Sequence, residues 1–151
     1  MHKNRNLTFS EVSSQADEGF GSRAAHRGAA FGDIDNDGRI DIVVNCLNDK
    51  PELLMNRAGG GRNWTLHLVA TRSNRDGLGA RVPFTSATGI QHNHATTSVG
   101  YGSSSDKRVH FGLGGDSKVD KIDILWPSGV RHSRGTTAVN QILRVLEPSR
   151  G

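Results

Sequence analysis

"AAFGDIDNDGRIDIVV", residues 29–44, sets four aspartates between two apolar runs. Asp33, Asp35, Asp37 and Asp41 take positions 1, 3, 5 and 9 of a short loop, and Gly38 takes position 6. The flanks, "GAAF" (28–31) and "IDIVV" (40–44), read as strands, so the loop reads as the turn of a β-hairpin. Carboxylates this close repel one another unless a cation neutralises them. A hard cation such as Ca²⁺ takes about six to eight oxygens at short range. Alternate side chains on a curved loop converge on one point, and Gly38 permits the sharp turn. The expected ligands are Asp33, Asp35, Asp37, the main-chain carbonyl of Arg39, and Asp41. The expected ion is Ca²⁺ in preference to Mg²⁺, because the set is all protein oxygen. The loop is not an EF-hand. Its twelfth position is Val44, where an EF-hand carries a bidentate glutamate, and its flanks are strand-like. The plainer alternative is a solvated Asx-rich turn, which needs one or two aspartates and not four in register.

The rest of the chain is basic. The formal charge is +4 and the pI about 9.7 even with the aspartates included. The arginines are scattered, which suits a solvated surface better than a nucleic-acid groove. Cys46 is the only cysteine, so no intramolecular disulfide is available. The opening "MHKNRNLTF" has no apolar h-region, so no signal peptide is read there, and no apolar run reaches the length of a membrane span.

Nineteen glycines and a recurrence of short apolar runs favour an all-β chain. Further strand signals are "LTFSEV" (7–12), with Leu7 and Phe9 on one face, "ELLM" (52–55), "WTLHLV" (64–69), "ARVPF" (80–84), "RVHFGLG" (108–114), "KIDILW" (121–126) and "QILRVL" (141–146). Pro83 suggests an edge strand or a bulge. Trp126 shares a face with Ile122 and Ile124 and is expected in the core. A brief helix is allowed near 11–17. Turn signals fall between the runs, and "NRAGGGRN" (56–63) divides the chain into 1–57 and 58–151. The expected architecture is one calcium-loop hairpin or blade, followed by a compact β-sandwich or barrel-like module.

"RGAAFGDIDNDGRIDIVVNCLN" (27–48) resembles the FG-GAP or VCBS repeat, the calcium-loop blade of integrin-type β-propellers. "NRAGGGRNWTLHLVATRSNRDGLGARV" (56–82), "RVHFGLGG" (108–115), "VDKIDILWPSG" (119–129) and "VNQILRV" (139–145) resemble the ASPIC/UnbV domain that follows such repeats in cartilage acidic proteins. The resemblance implies calcium binding by Asp33, Asp35, Asp37, Arg39 and Asp41. It also implies a secreted, non-enzymatic role in adhesion or recognition of a protein or carbohydrate ligand. Arg39 stands where such repeats often carry another acid, which lowers the charge of the loop. A propeller needs several blades and this chain has one, so it resembles the C-terminal end of a longer propeller protein or a stand-alone gene for that end.

Other groupings carry less. His92 and His94 share a strand face without an evident third ligand. His67 and His110 read as half-buried strand residues. "SNRDGLGAR" (73–81) lacks the Lys-Ser/Thr ending of a phosphate loop, and Ser103, Ser104 and Ser105 lack the surroundings of a nucleophile elbow. Asp106 and Asp116 are the available acid–base pair. "NLT" (6–8) and "NWT" (63–65) are glycosylation sequons. The chain is thus read as a binding module and not an enzyme. The rivals are a glycan-acting hydrolase, which needs paired carboxylates outside the loop, and a basic nucleic-acid-binding module, which needs aromatics interleaved with Lys and Arg. A lone blade leaves Ile42, Val43, Leu53 and their neighbours without a cover. It is expected either to fold back on residues 64–146 or to pair two chains, with the pairing favoured.

Overall fold

The computed structural model of the chain describes residues 2–3, 8–12, 15, 18–59 and 62–149. Asn6 of the sequon at 6–8, Leu7, most of the brief helix allowed near 11–17, and Gly60–Gly61 lie outside them. The chain is nearly all β. Strands β1 (His2–Lys3) and β2 (Phe9–Ser10) form a two-residue ladder, followed by a 3₁₀ turn at Glu18–Gly21. Phe9 is exposed, so its expected burial does not hold: a two-residue ladder has no second layer to face.

Strands β3 (His26–Gly32), β4 (Asp41–Cys46) and β5 (Glu52–Leu54) then make an antiparallel meander. The aspartate loop is its first connection. Phe31 pairs with Ile42 and Gly32 with Asp41, so the hairpin closes directly on the loop.

The remaining strands form two sheets. Strands β6 (Arg62–Val69), β9 (Val109–Gly114) and β13 (Ile142–Leu146) make one, with β13 parallel to β6 and β9 antiparallel to it. The other has the order β11–β10–β7–β8, built from β7 (Arg81–Ser86), β8 (Gly89–His94), β10 (Lys118–Leu125) and β11 (Arg131–Arg134), with β12 (Thr137–Ala138) on the far end of β10.

The inner faces of the two sheets meet in one apolar core. Trp64, Leu66, Leu68, Val109, Phe111 and Val145 come from one side, and Val82, Phe84, Val119, Ile122 and Ile124 from the other, with Trp126 just past the end of β10. Phe84 meets Phe111 edge-on across the gap, with ring centroids 4.4 Å apart, and Trp64 lies beside both rings. Such aromatic pairs add about 0.5–1.5 kcal/mol beyond the area they bury. The arrangement is a sandwich and not a closed barrel. Trp126 is 1% exposed, as its alternation with Ile122 and Ile124 requires.

Two details depart from simple alternation. Val119 and Ile122 are both buried although three residues apart, because the register of β10 against β7 shifts between Val119 and Lys121. That extra residue is a bulge, which resets the phase of the strand. Pro83 lies in an inner strand, between β10 and β8, and not at an edge. The ladder to β10 passes from Ile122–Phe84 to Leu125–Arg81 and breaks at Pro83, which has no N–H to donate, while Pro83 stays paired with His92 of β8.

The three-stranded sheet rests on its own chain's sandwich. Ser103 Oγ donates to the Ala29 carbonyl at 2.7 Å, Phe31 N–H donates to Ser105 Oγ at 3.1 Å, and Asp106 N–H donates to the Phe31 carbonyl at 2.8 Å. These bonds cover the outer edge of β3, the fold-back arrangement of the two that the sequence allows. The serines at 103 and 105 are the clasp.

Candidate metal centre

The loop between β3 and β4 is built by its own side chains. Asp33 is 3% exposed, and its Oδ2 accepts the Gly38 amide at 2.9 Å. Asp37 Oδ1 accepts the Arg39 amide at 2.9 Å. Asn36 and Gly38 have positive φ, 58° and 86°. Asn and Gly tolerate this region, which folds the chain back on itself so that the odd-numbered side chains point inward. One carboxylate oxygen from each of Asp33, Asp35 and Asp37 lies within 4.8 Å of the other two.

Asp41 plays a different part. Its Oδ2 accepts the Ile34 amide at 2.9 Å and its Oδ1 accepts the Asn56 amide at 2.8 Å. Buried at 1% exposure, it ties both ends of the loop to the segment leaving β5. The structure therefore gathers Asp33, Asp35 and Asp37 and gives both oxygens of Asp41 to the backbone. The Arg39 guanidinium turns onto Asp37, and its Nε donates to the Asn56 carbonyl at 2.6 Å.

The residues fit a cation on one specific ground. Asp33 Oδ1 is buried and makes no hydrogen bond. A buried carboxylate oxygen without a partner is costly, and such a group calls for a missing donor or ion. Arg39 on Asp37 and the exposed Arg57, at 3.1 Å from Asp35, supply two positive charges against three carboxylates and leave Asp33 without one.

The loop also sits on the sandwich. Arg108, at the foot of β9, donates to the Asp33 carbonyl and to Asn36 Oδ1, both at 2.7 Å, while its Nε is held by Asp106 at 2.6 Å. Burial alone would raise the Asp106 carboxyl, but the facing His110, 3.6 Å away, and hydrogen bonds from Arg108 hold it well below the ordinary carboxylate range. Asn63 Nδ2 faces the Asp37 carbonyl at 3.4 Å, so a glycan on the sequon at 63–65 would displace this contact. Neither Arg108 nor Asn63 carries a sequence signal for this role, since both act at long range.

Gly38 is the tightest point. A Cβ there would clash with the Asn63 side chain while also straining a φ of 86°. Gly38→Ala is expected to destabilise the chain by about 1–3 kcal/mol, the cost of a non-glycine residue held in that region. A chemical-denaturation midpoint equal to that of the parent would contradict this.

Residues 70–151 match the family described as ASPIC and UnbV. The chain belongs to the ASPIC and UnbV family. It is also 24% identical over 127 residues to Cartilage acidic protein 1 of Xenopus tropicalis, a match covering 80% of this chain and 20% of that protein. The chain thus spans about a fifth of the length of this curated relative. The ASPIC and UnbV match covers β7 to β13 and begins just after β6, so the aspartate loop lies outside it. Four-fifths of the chain is more than residues 70–151 contain, so the likeness to the second protein extends to residues before 70.

Within the family region the other candidates are each engaged singly. Asp106 holds Arg108 and faces His110, whereas Asp116 accepts the Thr88 hydroxyl at 2.7 Å. His92 and His94 lie on β8, and among the described residues they join no third ligand. The most heavily bonded carboxylate is Glu147, which no local pattern announces. Its Oε2 accepts the amides of Thr71, Arg72 and Ser73 at 2.8–2.9 Å, and its Oε1 accepts the hydroxyls of Ser73 and Ser128. This carboxylate is filled by its own chain and has no lone pair turned to a substrate.

Proposed function

We propose that the chain is a calcium-stabilised, non-enzymatic recognition module that works outside the cell. The carrying observation is the buried, unpartnered Asp33 Oδ1 beside the Asp35 and Asp37 carboxylates. In this reading β3–β5 are a single FG-GAP/VCBS-type repeat, residues 1–57, set on an ASPIC/UnbV domain, residues 58–151. Asp33, Asp35 and Asp37 bind the ion with the Arg39 carbonyl. Asp41 holds the loop in shape through the Ile34 and Asn56 amides and remains the fifth expected ligand. Ca²⁺ bound there supplies the charge that lets three carboxylates converge.

The loop's anchors carry the consequence. Arg108 and Asn63 reach it from the sandwich, so ordering the loop also fixes the three-stranded sheet on its partner. The extracellular setting rests on the likeness to Cartilage acidic protein 1, and the ligand class is protein or carbohydrate. No helix among the described residues is long and apolar enough to cross a membrane. Val43 and Leu53 are register partners and both exposed, and they are the face through which two chains would pair. Sedimentation velocity over a wide concentration range separates that pairing from a monomer.

Calorimetry tests the calcium reading. An ion that binds only the folded state stabilises it by about 2.7 kcal/mol at a hundred times its dissociation constant. Melting of the chelator-stripped chain is expected to rise with Ca²⁺, and Asp33→Asn or Asp35→Ala is expected to abolish the rise. Identical melting with Ca²⁺ and with chelator would reduce the loop to a turn.

A further inference from the structure

The end of the three-stranded sheet away from the aspartate loop holds a second, chemically different set of ligating side chains. His26 opens β3, Cys46 closes β4 as its direct register partner, and Glu52 opens β5 opposite Val44. Side chains alternate along a strand, so Cys46 shares a face with Val44 and hence with Glu52. The pairing thereby collects three residues that are well separated in sequence. One nitrogen, one sulfur and one carboxylate oxygen of this trio lie within 4.8 Å of one another. His26 Nε2 is 3.2 Å from Glu52 Oε2, and the Cys46 thiol is buried at 5% exposure. Ser22 Oγ donates to the other oxygen of Glu52, which leaves Oε2 turned toward the histidine.

We propose that His26, Cys46 and Glu52 form a binding site for a divalent transition metal of the zinc type. Zinc is borderline soft and accepts imidazole, thiolate and carboxylate together, at about 2.0–2.1, 2.3 and 2.0–2.2 Å. A tetrahedron with those bonds sets its ligand atoms roughly 3.3–3.6 Å apart, so a trio within 4.8 Å closes by no more than about 1.5 Å. The fourth position is open to water. Calcium does not compete, because a hard cation takes oxygen and this set offers one carboxylate. Ser22 acts on the ligating carboxylate as outer hydrogen-bond partners do in metal sites, fixing which oxygen faces the ion. The sheet then has a hard-oxygen site at one end and a nitrogen–sulfur–oxygen site at the other. The second ties β3, β4 and β5 together where β3 enters and β4 leaves. A plain His26–Glu52 ion pair beside an inert thiol is the competing account, and it predicts no role for sulfur.

Cobalt distinguishes the two. The full chain, stripped with chelator, is titrated with Co²⁺ and then with Zn²⁺. One equivalent of Co²⁺ is expected to give a near-ultraviolet cobalt–thiolate charge-transfer band, and Zn²⁺ to bleach it. Cys46 is the only cysteine, so the band reports on this site alone. Cys46→Ser is expected to remove the band. His26→Gln, a change at a partly exposed position outside the core, is expected to weaken Co²⁺ binding at least about tenfold. Asp35→Asn is expected to leave the band as it is, which keeps this site separate from the aspartate loop. No band at saturating Co²⁺, or an unchanged Co²⁺ affinity in His26→Gln, would overturn the proposal.

Discussion

Glu147→Ala is expected to cost about 3–5 kcal/mol, because several hydrogen bonds to a charged group, each contributing about 1.5–3 kcal/mol, are lost together. The side chain is 1% exposed and receives three amides and two hydroxyls. Alanine would leave the part-buried amides of Thr71, Arg72 and Ser73 without their acceptor, each a destabilising loss. Glu147→Gln keeps the shape but replaces one acceptor oxygen with a donor, so it should fall between alanine and the parent. Urea unfolding followed by tryptophan fluorescence measures both, and a loss under about 1 kcal/mol for the alanine variant would place Glu147 outside the network. The same carboxylate sets an acid limit. Burial would raise its pKa, but hydrogen bonds from Ser128, Ser73 and Arg72 lower it from 4.5 to about 2. A depressed carboxylate stabilises the fold fully above its unfolded value and loses that contribution as pH falls through its folded value. Stability should therefore decline from about pH 4.5 toward pH 2, and this part of the decline should be missing in Glu147→Gln.

Trp126→Ala is expected to cost about 3–5 kcal/mol, as for a large aromatic removed from a core. Trp126 fills the end of the sandwich beneath the 73–79 turn. A Cβ on Gly77 would lie 3.2 Å from its ring and 3.1 Å from Leu68, so turn and ring are already in close contact. Glu147 holds that turn from the other side through Ser73. The two substitutions act on one cluster, so their costs should not add, and a double variant measures the coupling. A Trp126→Ala loss under about 1 kcal/mol would mean that the turn collapses to refill the space.

Much of the sandwich was legible because its strands bury one face each. Trp64, Leu66 and Leu68 alternate in the sequence and face the core in the structure. Strand β11 escaped notice because "RHSR" offers no apolar alternation, being the outer strand of its sheet. Pro83 misled for a local reason: proline removes a donor, and the inner strand accepts it with a gap in the ladder to β10 while keeping its pairing to β8. The shape of the aspartate loop was legible because its turn residues and carboxylates are contiguous. What holds the loop was not. Arg108, Asn63 and Asn56 reach it from far along the chain, and Asp41, spaced as a fifth ligand, gives its oxygens to two amides. Glu147 and the His26–Cys46–Glu52 trio share that property, since strand pairing and loop closure assemble them and no spacing encodes them.

The Asp33, Asp35 and Asp37 carboxylates are expected to hold a hard cation in the folded chain. Isothermal titration of Ca²⁺ into the full, chelator-stripped chain measures this most directly. A single site with one equivalent of Ca²⁺ is expected, absent in Asp33→Asn and retained in Cys46→Ser. No heat of binding, or the same isotherm in Asp33→Asn, would contradict it.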